Sequence, residues 1–263
     1  MEKISVVGLD GSGKSSALEI LVKQHLKGKE VRVVDPSAAL YASEVWKTGH
    51  VPIGRRVAAF VDRTTLLGDK LDSRLFQGAI YGAIMGVGSH PFYWLMAAKY
   101  HPDLLIRERD VAIDGAVYSQ FYFPFAARVL TASQRLWLIT EVLQHSLPRK
   151  VIYLDVEPEV ALDRILKSLE EKAWTGRKNM PHPHENLDGL RLLRGAYHDV
   201  LEAAEDRGIE VVRLDATSSA PEQVASAIYS HILPHAYSND KGNGTVHSLN
   251  GNGNSPKKIL VVK

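Results

Sequence analysis

The chain has 263 residues, 45% of them hydrophobic and 24% charged; the length suits one domain with an appendage, and the composition excludes a disordered, collagen-like or coiled-coil protein. The formal net charge of +2 is unevenly spread: residues 236–263 carry Lys241, Lys257, Lys258 and Lys263 against Asp240, which leaves a slightly acidic body without the basic footprint of a nucleic-acid binder. With no cysteine there is no disulfide, thiolate metal site or cysteine nucleophile.

The start of the chain has an acidic Glu2 and only a short apolar run. That is not a secretory signal, so the cytoplasm is the expected location. A strand is predicted over 3–7, followed by a helix over 15–26 whose Leu18, Leu21, Val22 and Leu26 share one face. Further strands are predicted at 30–34, 111–113, 151–156 and 209–214. Helical spacing covers 54–75, 118–130, 132–147, 158–169, 190–204 and 221–233, with Pro158 and Pro221 at first-turn positions. Five strands separated by helices imply an α/β fold, a parallel sheet with helices on both faces.

Residues 78–98 carry no charge, and Gly78, Gly82 and Gly86 recur at four-residue spacing. The break at Gly88-Ser89-His90-Pro91 leaves pieces of about ten residues, too short to cross a bilayer. The expectation is a helix pair buried in the core or at a homodimer interface, not a membrane contact. From 236 to 256, 13 of 21 residues are Gly, Asn, Ser or Pro, a composition that cannot bury enough surface to offset ordering entropy. The predicted organisation is a domain over 1–235 and a low-complexity tail over 236–263, whose final Ile259-Leu260-Val261-Val262 would suit the first strand of something further.

Gly8-Leu9-Asp10-Gly11-Ser12-Gly13-Lys14-Ser15 matches the phosphate-cradling pattern G-x-x-x-x-G-K-[ST] and sits between a predicted strand and a predicted helix, the context that the pattern requires. Backbone N–H groups of Gly8, Gly11, Ser12, Gly13, Ser15 and Ser16 would surround phosphates, Lys14 would reach the β/γ-phosphates and Ser15 would hold Mg²⁺. Nucleotide binding follows, without yet separating kinases from switches or motors. The chain contains no Asn/Thr-Lys-x-Asp guanine signature. Asp114 closes the run Val111-Ala112-Ile113 and is expected at the carboxyl end of a strand, where it would organise the metal. His182 and His184 lack a third ligand at defined spacing and read as structural or lid-surface residues.

Several segments resemble thymidylate kinases. They are the loop with its internal Asp10, Asp35-Pro36, Phe60-Val61-Asp62-Arg63, Asp114 followed by Ser119 and Gln120, and residues 151–165, VIYLDVEPEVALDRI. The likeness continues through Leu193-Arg194-Gly195-Ala196-Tyr197 and Val212 to Ala216, covering most of 1–235. It implies a P-loop kinase fold with a mobile lid over about 170–189, and transfer of the γ-phosphoryl of Mg-ATP to a deoxynucleoside monophosphate. It also implies that Asp10 holds the acceptor sugar, Arg63 contacts the acceptor base, Ser119 and Gln120 belong to the acceptor site, and Arg164 lies along the adenine of ATP. Because Lys14 is the only basic residue in the loop, the lid subtype is expected, with Arg177 neutralising the transferring phosphoryl.

Two positions depart from the family pattern. Asp114-Gly115-Ala116 lacks the arginine that grips the acceptor phosphate, for which Arg55 and Arg56 are the candidate substitutes. The thymine-stacking position falls on Ala59, with Phe60 shifted by one residue; the aromatics around Phe123 offer another platform. A kinase for a different small-molecule acceptor and a non-catalytic nucleotide-binding module therefore stand as alternatives.

Overall fold

Strand β1 (Glu2–Gly8) buries Ile4, Val6 and Val7 completely. Burial of successive residues means that both faces of the strand are covered, the condition of a parallel sheet between helical layers. The computed structural model describes residues 2–26, 30–34, 101, 103–142, 147–174, 182–237 and 258–262. After β1 come α1 (Lys14–Ile20), continued by one wider turn over Leu21–His25, and β2 (Glu30–Val34). Next are β3 (Leu104–Glu108), α2 (Val111–Tyr122), α3 (Pro124–Val129) and α4 (Ala132–Trp137). Then follow β4 (Lys150–Asp155), α5 (Pro158–Trp174), α6 (Leu187–Glu205), β5 (Glu210–Asp215), α7 (Pro221–Tyr237) and β6 (Lys258–Val262).

The expected α/β class is present. Strands β3, β1, β4 and β5 pair in parallel as the body of the sheet, and β6 and β2 extend it, giving the order β2-β6-β3-β1-β4-β5. The register sets Val6 opposite both Glu108 and Ile152, and Gly8 opposite Leu154, so the carboxyl ends of β1, β3 and β4 meet at one edge. In an open parallel sheet that edge is where ligands bind. Helix α1 packs on α7, and α2 packs on α4 and α6.

The third strand lies earlier than its sequence pattern suggests. Residues 111–113 open α2 instead of forming a strand, because Asp110 accepts hydrogen bonds from the Ala112 N–H (3.0 Å) and the Ile113 N–H (3.2 Å) as an N-cap. A short apolar run buried on every side has no period by which to tell strand from helix. The strand itself is Leu104–Glu108, whose pattern is interrupted by Arg107, buried against Ser5 and Asp110. The single helix expected over 118–130 is divided at Phe123, where Pro124, lacking an N–H, starts α3.

The tail is also corrected in part. Helix α7 continues to Tyr237, and the last apolar residues form β6 between β2 and β3, pairing Lys258 with Glu30 and Ile259 with Leu104. Four β-prone residues in the middle of a sheet recover the backbone hydrogen bonds that a solvated tail would make only to water. The expected helix over 54–75 and the segment 78–98 lie outside the described residues. Among the described residues no helix is long and apolar enough to cross a membrane.

Deleting 238–263 removes β6 and both of its ladders. The melting temperature is expected to fall by about 5 °C or more. An unchanged melt would mean that β6 contributes nothing to the sheet.

Candidate functional site

At the sheet edge the chain leaves β1 and turns through Gly11 and Gly13 into α1. Gly11 has φ of 78°, and a Cβ there would lie 2.3 Å from the Ala161 carbonyl of α5, so no other residue fits. Gly13, at φ of 88°, precedes the first residue of α1, Lys14. The Lys14 ammonium is buried beneath this loop and donates to the Gly8 carbonyl (2.8 Å), the Leu9 carbonyl (2.6 Å) and Ser12 Oγ (3.2 Å). Burial, helped by the nearby Arg109 cation, lowers its pKa to about 8.

Two residues at the end of β3 face the loop. Glu108 Oε1 accepts a hydrogen bond from Ser15 Oγ (2.7 Å). Arg109 follows in a left-handed conformation, φ of 70°, which few non-glycine residues adopt. Its guanidinium forms an ion pair with Asp10 Oδ1. Asp10 Oδ2 accepts from the Tyr118 hydroxyl (2.9 Å) and meets His184 Nε2 (2.9 Å). Burial alone would raise the Asp10 carboxyl, but Arg109, the His184 hydrogen bond and Lys14 outweigh it and hold the group well below the usual carboxylate range. Asp10 in turn raises the Arg109 guanidinium, while burial keeps Tyr118 protonated as a donor.

A cavity of about 600 Å³ runs from this cluster past the loop. Its lining includes the polar Asp10, Ser15, Ser16, Glu108 and Arg109 and the apolar Ile165, Leu169, Ala216 and Val224. Arg164 also lines it, donating to the Thr217 carbonyl (3.1 Å) and reaching the Gly11 carbonyl at 3.5 Å. The loop residues and Arg164 are thus brought together along one cavity.

The acceptor-side expectations fare differently. Asp114 is not at a strand end: it sits in the first turn of α2, 2% exposed, accepting from the Asp110 N–H (2.6 Å) and from the Tyr197 hydroxyl. Burial pushes its carboxyl up, and it is not among the residues lining the cavity. The acid at the strand end is Glu108. Gly115 faces Ile139, whose Cδ1 lies 3.1 Å from where a Cβ would stand, so its lack of a side chain is a matter of helix packing. Ser119 bonds the Ala116 carbonyl (2.7 Å), Gln120 accepts from Arg135 (2.9 Å), and Phe123 packs against the core; none of the three lines the cavity. Arg55, Arg56, Phe60, Arg63 and Arg177 lie outside the described residues.

Three contributors escaped the sequence reading. Glu108 and Arg109 would have been found had Leu104-Leu105-Ile106 been taken as the strand, since an acid and a cation then follow its end. His184 carried no such signal, because its role depends on a fold that brings residues 10 and 184 together. No protein-family model matches the sequence, and a search of curated proteins returns no significant match.

Only the ammonium form of Lys14 attracts phosphate. Attraction of the loop for a phosphate group is therefore expected to be strongest below pH 8 and to fall as pH rises through 8, by up to about tenfold per unit. Calorimetric titration of ATP between pH 7 and 9.5 reads this directly; a flat profile would contradict the charge assignment.

Proposed function

We propose that the protein transfers the γ-phosphoryl group of ATP to a nucleoside monophosphate, in the manner of thymidylate kinases and on a P-loop kinase fold. The observation that carries this reading is the strand–loop–helix with Lys14 inside the loop, Ser15 on Glu108 and Arg109 beside Asp10. A phosphate-binding loop needs only the first of these. The second cation, set next to a carboxylate at the same sheet edge, supports a second phosphorylated substrate.

In this account the loop amides and Lys14 receive the phosphates of ATP, Lys14 exchanging its loop carbonyls for phosphate oxygens. The apolar part of the cavity lining, with Arg164, takes the base. Ser15 and Glu108 offer hard oxygen ligands suited to Mg²⁺, and the ion would shield phosphate charge during transfer. Arg109 takes the place of the arginine that Asp114-Gly115-Ala116 lacks and meets the acceptor phosphate. Asp10 then faces the acceptor sugar, and Arg177 from the lid segment is the proposed partner of the transferring group. Phosphoryl transfer consists largely of positioning and charge stabilisation, which these groups supply. A cytoplasmic location, where nucleotides are made, goes with the proposal.

The test is ADP formation from Mg-ATP across a panel of nucleoside and deoxynucleoside monophosphates. Lys14→Ala is expected to lower turnover by about 10²-fold or more with little change in melting temperature. Arg109→Ala is expected to raise the acceptor KM at least about tenfold, a larger change than that in the KM for ATP, since it removes a charge-assisted contact to the acceptor. ATP binding without turnover on any acceptor would instead favour a nucleotide-binding module.

A further inference from the structure

His184 stands in the turn ahead of α6 and is 5% exposed. The turn is tightly tied: the His182 N–H donates to Glu185 Oε2 (2.6 Å), the Glu185 N–H to the His182 carbonyl (2.9 Å), and Asn186 Nδ2 to the Pro183 carbonyl (2.7 Å). Gly189 permits this closeness, since a Cβ there would lie 2.4 Å from the His184 carbonyl. The imidazole meets Tyr118, Phe121 and Tyr122 edge-on at 5.1 to 5.9 Å and stacks on His182 at 5.7 Å.

Its two nitrogens have different partners. Nε2 lies 2.9 Å from Asp10 Oδ2, and Nδ1 lies 2.8 Å from the Tyr122 hydroxyl. Asp10 is ionised and can only accept, so Nε2 must carry the hydrogen. In the neutral ring Nδ1 then accepts from Tyr122. Asp10 consequently has one oxygen on Arg109 and the other on two donors, Tyr118 and His184, and Tyr118 also accepts from Arg109 Nη1 at 3.3 Å. A carboxylate held at one oxygen only could rotate about its last bond and take the guanidinium with it. Held from three sides, it cannot.

We propose that His184 is a positioning residue of the acceptor site: by donating to Asp10 it fixes the carboxylate, and through it the orientation in which Arg109 presents its free edge to an acceptor phosphate. The inference rests on the kinase reading in taking Arg109 as the group that meets that phosphate. The rigid turn and the aromatic surround are what make His184 a fixed point from which Asp10 can be held.

Two substitutions separate positioning from packing. His184→Gln can place an amide donor near the site of Nε2, whereas His184→Phe keeps the ring against Tyr118, Phe121 and Tyr122 and loses both hydrogen bonds. With thymidine monophosphate as the acceptor probe, His184→Phe is expected to raise the acceptor KM about tenfold with the ATP KM within about twofold, and His184→Gln to recover most of the loss. In an Asp10→Asn background His184→Phe should add no further change, since the two act through one contact. Equal impairment by Gln and Phe, or independent multiplication of the His184→Phe and Asp10→Asn effects, would overturn the proposal. Nitrogen-15 spectra of the imidazole give a reading that needs no turnover: the Nε2–H tautomer, perturbed by Asp10→Asn, is expected, and the Nδ1–H tautomer would overturn the proposal. If the wild-type protein phosphorylates nothing on the panel, the kinase reading fails and the tautomer alone decides the place of His184.

Discussion

The ion pair between Asp10 and Arg109 is the constraint on which the site depends. It joins a loop that leaves β1 to the residue that leaves β3, two strands that are neighbours in the sheet but about a hundred positions apart in the chain. Neither residue can be placed by its own element. Asp10 stands in a loop shaped by glycines, and Arg109 is held in a left-handed conformation that its backbone would not choose alone. A partly buried pair of this kind is favourable only when its remaining hydrogen-bonding capacity is met, and Tyr118 and His184 meet it. Helix α2 and the turn before α6 are thereby drawn to the same point.

The charges around this point alternate in sign. Lys14, Arg109 and Arg164 surround the loop, while Asp10 and Glu108 lie among them. The cations are oriented by protein groups: Lys14 by loop carbonyls, Arg109 by Asp10, Arg164 by Thr217. An anion entering such a site meets cations that are already ordered, so little side-chain freedom is lost on binding. Beneath the loop, Tyr197 of α6 lies 3.1 Å from the Gly8 carbonyl and bonds to Asp114 of α2. The buried acid thus supports the floor of the loop from below.

Much of this was legible in the sequence, and the limits were physical. The strand and loop over residues 3–15 combine a buried apolar run with a motif whose glycines answer a backbone need, so pattern and chemistry agree. Residues 151–155 were equally plain, since an apolar run followed by an acid and Pro158 marks strand, edge and helix start. Strand β3 was hidden because Arg107 is buried and paired with Asp110 within its own neighbourhood, which breaks the apolar signal. The run 111–113 was misread because an N-cap, not its hydrophobicity, decides its conformation. The last apolar run was read as strand-like, but its place in this sheet was missed because pairing with β2 and β3 reaches across the whole chain, which no local window contains. The contact of His184 with Asp10 is of the same kind.

A structure of the protein with ADP, Mg²⁺ and thymidine monophosphate bound together tests the central claim most directly, namely that Arg109 serves an acceptor phosphate beside a loop that serves ATP. The account expects the ADP phosphates on the loop amides and Lys14, and the guanidinium of Arg109 on the monophosphate. Asp10 should remain held by Tyr118 and His184. A complex in which Arg109 touches no phosphate, or in which the monophosphate is bound away from the end of β3, would contradict it.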